Sequence, residues 1–231
     1  MVSTIYSGVD VVVDKRDQSV SMRIARTGTF EPEIIKTLSR FVKPGDVMMN
    51  IGCHIGLESM VLGQIIGPTG KMFFFEPYST SFRILQKNIF LNNLHRISTM
   101  FKMAVSNREQ NGYIFVDNIN TGGSEIHTDE TAKTFKGIDH TNRMKVYKEP
   151  VKINTVDSVM PRDVRPNFIL MDVQMLELEA LEGMKETLTR ATDLIIFCEW
   201  SGYSIHLNQT EYVPRMKSLL QWLLDNKYKF Y

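Results

Sequence analysis

A chain of 231 residues, 43% of them hydrophobic, can bury one large α/β core or two small ones. Its 27 basic and 26 acidic residues leave a net charge of +1, which excludes a strongly basic overall surface for bulk nucleic-acid binding. Two cysteines, Cys53 and Cys198, are too few for a disulfide framework and fit a reducing compartment. The N-terminus "MVSTIYSGVDVVVDKRD" lacks the basic start and apolar core of a signal peptide, and no apolar run approaches the ~20 residues of a membrane helix. A soluble, cytoplasmic protein without a membrane partner is expected.

In chain order, "VDVVVDK" and "SVSMRIAR" are short and β-like around "RDQ" and predict a hairpin. "EPEIIKTLSRFV" opens with Glu31 and Pro32 and places Ile34, Ile35, Leu38 and Phe41 on one helical face. "KPGD" breaks it. "VMMNI" then predicts a buried strand, "LESMVLGQII" a helix ended by "GPTG", and "KMFFFEP" a strand covered on both faces. "STSFRILQKNIFLNN" reads as a helix with a serine or threonine cap, and "ISTMFKMAVS" as a third strand.

The alternation then stops. "NGYIFV" reads as a strand, but residues 117 to 148 are polar without a clear period, as in a binding loop or lid. It resumes with "NFILMDV" (strand), "LELEALEGMKETL" (helix), "DLIIFCEW" (strand) and "EYVPRMKSLLQWLLDN" (helix), and the final "KYKFY" looks like a further strand. The expectation is a single α/β domain over 1–231, doubly wound on a mostly parallel sheet. It carries an N-terminal hairpin and helix extension (1–42) and the inserted segment 117–148.

The stretch "NIGCHIG" sits between a strand and a helix. Gly52 and Gly56 would let a backbone approach a ligand without Cβ clashes, and the helix start offers unpaired N–H groups. Glycines at this spacing are also ordinary in βα turns. The acid Glu76, at the end of the next strand about twenty residues later, is placed to accept both hydroxyls of a ribose. The third glycine of a dinucleotide fingerprint is absent, as is a Gly-Lys-Ser/Thr phosphate loop. A ribose-bearing ligand without phosphates, such as S-adenosylmethionine, fits better.

The segment from "VKPGDVMMNIGCHIGLESM" through "GPTGKMFFFEP" to "NIFLNNL" resembles the FkbM-type family of S-adenosylmethionine-dependent methyltransferases. "TFEPEII", "AVSN", "NTGGSEIH", "TVDSV", "MDVQMLELEALEGM" and "KYKFY" extend the likeness from about Gly28 to the end. The resemblance implies a Rossmann-like class I methyltransferase fold. It further implies that Gly52, Cys53, His54 and Gly56 wrap the methionine part of the cofactor, and that Glu76 holds the ribose before the turn at Pro77. Ala104 and Val105 would lie near the adenine, and Glu31 near the ammonium group. The chain departs from the family at Asn50, where an acid is usual, and at His54, where asparagine is usual. In the D-V-E-G-A-E segment, Gln174 replaces an acid and Met175 a glycine.

Methyl transfer to a hydroxyl needs the acceptor placed against the methyl carbon and its proton removed. Asp172 and Glu199 end strands on the side where such sheets bind ligands, so both are candidate bases, although either also suits a helix cap or an ion pair. Asn120, Thr121, Gly122 and Ser124 offer hydrogen bonds to a hydroxyl-rich acceptor, and Lys133, Lys136, Arg143, Lys145 and Lys148 lend the insertion a positive lean. Trp200 and Tyr203 could stack on a sugar or base. The histidines show no metal-ligand spacing, so no metal is expected, and Cys53 has no paired base that would make it a nucleophile.

The reading favoured is O-methylation of a sugar or other small metabolite. Its rivals are a cofactor-binding but inactive module, suggested by Asn50 and Gln174, and a nucleic-acid methyltransferase. Since such sheets usually close with an antiparallel pair, of which one member is visible, the chain is also expected to be part of a larger polypeptide.

Overall fold

The computed structural model describes residues 1–117, 119–129, 131–134, 146–200 and 209–230. The hairpin lies earlier than the sequence suggests: β1 (Val2–Tyr6) and β2 (Val9–Val13) pair antiparallel across Ser7 and Gly8. The segment expected as its second strand is instead a helix, α1 (Ser21–Thr27). That short stretch suits a period of two and a Val20–Ile24 helical spacing equally well. Asp17 decides the matter, because its buried carboxylate accepts from the N–H groups of Ser19, Val20 and Ser21 and starts a helix. The next helix, α2 (Pro32–Leu38), buries Ile35 and Leu38 but ends before Phe41, which is exposed.

The strand-helix alternation then follows as expected: β3 (Val47–Ile51), α3 (Leu57–Ile66), β4 (Lys71–Phe75), α4 (Ser79–Leu91) and β5 (Ser98–Phe101). The serine at the start of α4 is not a side-chain cap; Tyr78 holds that position. The predicted third strand splits after Phe101. Its second half, β6 (Ala104–Val105), joins another sheet with β7 (Gln110–Asp117), β8 (Glu125–Thr128) and, beyond the short α5 (Thr131–Thr134), β9 (Val146–Asn154). Strand β9 was hidden in the sequence by Pro150, which pairs with Tyr113 and reads against a strand interior. The insertion thus contributes a strand of its own and the first residues of β9. Lys136, Arg143 and Lys145 lie outside the described residues.

After α6 (Val156–Val159) come β10 (Phe168–Met171), α7 (Glu177–Glu182), α8 (Lys185–Arg190), β11 (Ile195–Cys198) and α9 (Gln209–Asp225). One predicted helix is therefore two, broken around Gly183. The tail "KYKF" forms no strand among the described residues; Tyr228 Oη donates to Leu188 O and ties the tail to α8.

Five strands pair in parallel in the order β11-β10-β3-β4-β5, the doubly wound arrangement expected. Their alternating side chains feed two cores: Met48, Phe74 and Phe168 on one face, Met49, Phe75 and Ile169 on the other. Burial on both faces is why these strands read as continuous apolar runs. The winding direction reverses between β3 and β10, and the crevice beyond their carboxyl ends is where such a sheet places its ligand.

Asn88 joins three parts of this frame. Fully buried on α4, it accepts from Val12 N–H through Oδ1 at 2.6 Å, and its Nδ2 donates to Val12 O at 3.1 Å and Ile55 O at 2.9 Å. Asn88→Ala leaves those backbone groups without partners, and unfolding in urea should show a loss of about 2–4 kcal/mol. A loss below about 0.5 kcal/mol, the size of a surface change, would contradict this role.

Candidate active site

A cavity lies at the carboxyl ends of β3, β4 and β10, where Gly52, Glu76 and Asp172 line it. Its glycine loop answers a question of packing first. Both Gly52 and Gly56 have φ of 78°, where a side chain is strained. A Cβ on Gly52 would come within 1.8 Å of Asp172 O, and one on Gly56 within 2.6 Å of the Leu85 side chain. The glycines let the exit of β3 press on that of β10, and α3 on α4. The N–H groups of Gly52 and Cys53 both donate to Phe75 O, at 3.0 and 3.1 Å. They are engaged within the fold, and bare main chain at Gly52 faces the cavity.

Glu76 ends β4 and is only 5% exposed. Its Oε2 accepts from His54 N–H at 2.8 Å and its Oε1 from Tyr78 N–H at 2.7 Å. Each oxygen keeps a second lone pair. Burial pushes its pKa up to about 8 despite those two bonds. The His54 ring crosses the cavity, with Nε2 and Thr121 Oγ1 2.8 Å apart, and burial lowers its pKa. Thr121, Gly122 and Ser124 line the opposite wall. That wall is tied to the N-terminal segment, since Gln18 and Ser19 donate backbone N–H groups to Ile119 O.

The other end of the cavity is acidic. Burial, then the charge of Glu199, raises Asp172 to about 6, while its bond from Gln174 works the other way. Glu58, in the first turn of α3, is raised to about 7 by burial, with Glu31 and Asp172 adding to it. Glu31, though exposed, is raised by partial desolvation and then by the charge of Glu199. Four carboxylates therefore repel one another where β3, β10 and β11 end, a field that favours a cationic ligand. Among the described residues no cluster could hold a metal ion.

Of the site residues expected from sequence, Gly52, His54, Glu76, Pro77, Ala104, Val105 and Asp172 line the cavity. Glu31, Asn50, Cys53, Gly56 and Glu199 do not. Glu31 and Glu199 are exposed and act on the cavity only through charge. Asn50 is buried and donates to Ser59 Oγ at 2.7 Å, bracing α3 against β3. Cys53 is buried behind the loop, where burial pushes its thiol up. Lys148 sits 3.6 Å over the Tyr113 ring and away from the cavity, and Tyr203 lies outside the described residues. Sequence reasoning missed the apolar walls Phe75, Met103, Ile114 and Ile126, and also Glu58 and Glu177. Ile114 and Ile126 come from β7 and β8, whose pairing no local pattern encodes.

These donors fit a ribose-bearing cation: a buried carboxylate for two hydroxyls, an apolar slot beside it, and acids at the far end. A family model described as Methyltransferase FkbM domain matches residues 24–230. Among solved structures, the chain is similar to a precorrin-6y C5,15-methyltransferase from Geobacter metallireducens at 11% identity, covering 90% of this chain and 76% of that one, with a TM-score of 0.45. An O-methyltransferase from Bacillus cereus in complex with SAH shares 14% identity over 83% of this chain and 67% of that one, TM-score 0.44. A SAM-dependent O-methyltransferase from Thermotoga maritima also shares 14%, over 87% of this chain but only 53% of its own, TM-score 0.44. No curated protein sequence matches the chain.

Glu76 keeps its proton in the folded protein up to about pH 8, whereas unfolded it would lose it near 4.5. Between those values the folded state binds more protons, so stability falls as pH rises. The thermal midpoint of the ligand-free protein should therefore be lower at pH 8 than at pH 5, and E76Q should flatten that slope. Identical slopes in both proteins would contradict the buried, protonated carboxyl.

Proposed function

The chain belongs to the FkbM methyltransferase family, and we propose that its acceptor is a hydroxyl of a sugar or other small metabolite, with Asp172 removing the proton. The enzyme is an S-adenosylmethionine-dependent methyltransferase. The observation that carries the site assignment is Glu76, a buried strand-end carboxylate whose two oxygens are aimed by separate backbone N–H groups.

In this reading Glu76 accepts the two ribose hydroxyls on its remaining lone pairs, and it must be ionised to accept both. Phe75, Met103, Ala104, Val105 and Ile114 enclose the adenine. The main chain at Gly52 borders the cationic methionine end, and Glu31 and Glu58 act on it through charge from behind the cavity wall. When bound, the cofactor would supply an activated methyl group for in-line displacement by the acceptor oxygen. Asp172 takes the acceptor's proton as its O–H bond breaks, and Glu199 keeps Asp172 basic by repulsion. Thr121 and Ser124 give the acceptor hydrogen-bonding groups on the far wall.

Asn50 supports an active enzyme rather than an inactive module, because its amide holds α3 through Ser59 where a family acid would order the loop. The acidic rim among the described residues weighs against a phosphate-bearing acceptor such as nucleic acid. We read residues 1–42 and 117–148 as extensions of one domain, the second of which brings Thr121, Gly122, Ser124 and Ile126 to the cavity. Two free cysteines favour a cytoplasmic setting, and no described helix is long and apolar enough to cross a membrane.

Calorimetry with S-adenosylmethionine should show Glu76→Ala weakening affinity by about 10–100-fold, the worth of lost bonds to a charged group. With a glycan panel as acceptors, Asp172→Asn should lower kcat by about 10²–10⁴-fold while cofactor affinity stays within about threefold. Undiminished turnover in D172N would remove the base assignment.

A further inference from the structure

The chain leaves β10 along the cavity wall as Asp172, Val173, Gln174, Met175 and Leu176, and all but Met175 line the cavity. Gln174 and Met175 have φ of 49° and 79°, consecutive left-handed conformations that L side chains rarely adopt. Two hydrogen bonds hold this backbone in place. Gln174 Nε2 donates to Asp172 Oδ1 at 2.6 Å, and Met175 N–H donates to Glu177 Oε1 at 3.1 Å. Glu177 is 1% exposed, and its Oε2 meets no hydrogen-bond partner among the described residues. One of its oxygens is thus tied to the strained turn itself.

We infer that Gln174 is a positioning residue, which clamps one oxygen of Asp172 with its amide and leaves the other to receive the acceptor's proton. The inference rests on the reading of Asp172 as the base. Local conformation argues for it, because a left-handed glutamine is strained where glycine is not, and the side chain that keeps it there reaches into the site.

The chemistry of the neighbourhood favours an amide at this position. Among the described residues, Glu199 after β11 and Glu31 before α2 act on Asp172, and Asp172 acts in turn on Glu58 on α3, Glu76 after β4 and Glu177 on α7. All are carboxylates, and the neighbouring Cys198 thiol, raised to about 12 by burial, supplies no positive charge. A carboxylate at 174 would share a proton with Asp172 and hold it in the acid form. The glutamine amide donates without ionising, and so favours the ionised base in an acidic setting. The departure from the family's acid at Gln174 is then a different way of holding the base.

The test is the carboxyl titration of Asp172, followed by ¹³C NMR on protein labelled in aspartate, with S-adenosylhomocysteine present and absent, and assigned with D172N. In the ligand-free wild type the midpoint should lie near 6. It should move up by roughly one pH unit in both Q174M and Q174G, which lose the amide donor and keep the backbone one. Q174G guards against misfolding, since glycine relieves the left-handed backbone and should melt no lower than the wild type. An unmoved midpoint in both variants would overturn the inference. Turnover by D172N reports on the base reading alone: full activity there would remove it, whatever the titrations show.

Discussion

One carboxylate holds the two loops of this site together. Glu76 takes an N–H from His54 on the glycine loop and another from Tyr78 at the start of α4, so the exits of β3 and β4 are fixed to each other through its side chain. A buried acid with two directed donors and, among the described residues, no cation beside it has a raised pKa, and that is a cost to the fold. A ligand presenting two adjacent hydroxyls would supply the missing donors and stabilise the ionised form. Structure and function meet at this point: the bond that orders the loops also leaves lone pairs pointing at the cavity.

The glycines belong to the same constraint. Gly52 sits where the backbone of Asp172 passes too close for any side chain, so the wall that carries the candidate base and the wall that carries the glycine loop touch directly. Moving either would move both. His54 and Thr121 extend this coupling to the insertion, and the Gln18 and Ser19 N–H groups on Ile119 O extend it to the N-terminal segment. The cavity is thereby built from elements distant in the chain yet mechanically joined, which suits chemistry that depends on placing an oxygen against a carbon.

Much of this was legible in the residues. "VMMNI", "KMFFF" and "NFILM" are continuous apolar runs because a parallel sheet is covered on both faces, and Glu76 and Asp172 stand out as the acids that end two of them. Local pattern failed where the answer lay in one particular side-chain bond or in a distant partner. Whether Ser21–Thr27 is strand or helix depends on the carboxylate of Asp17, and β9 was masked by a proline tolerated opposite Tyr113. Gly52 looked like room for a ligand, while the closest demand on it is the carbonyl of a residue far along the chain. Gln174 looked like a lost acid, and only the turn after β10 shows its amide on Asp172. His54 finds Thr121 across 67 residues, a pairing no spacing rule reveals.

A crystal structure grown with S-adenosylhomocysteine tests the central claim most directly. The account expects both ribose hydroxyls within hydrogen-bonding distance of the Glu76 carboxylate, with the adenine against Ala104 and Val105. Density for the nucleoside elsewhere, or an empty crevice at saturating ligand, would contradict it.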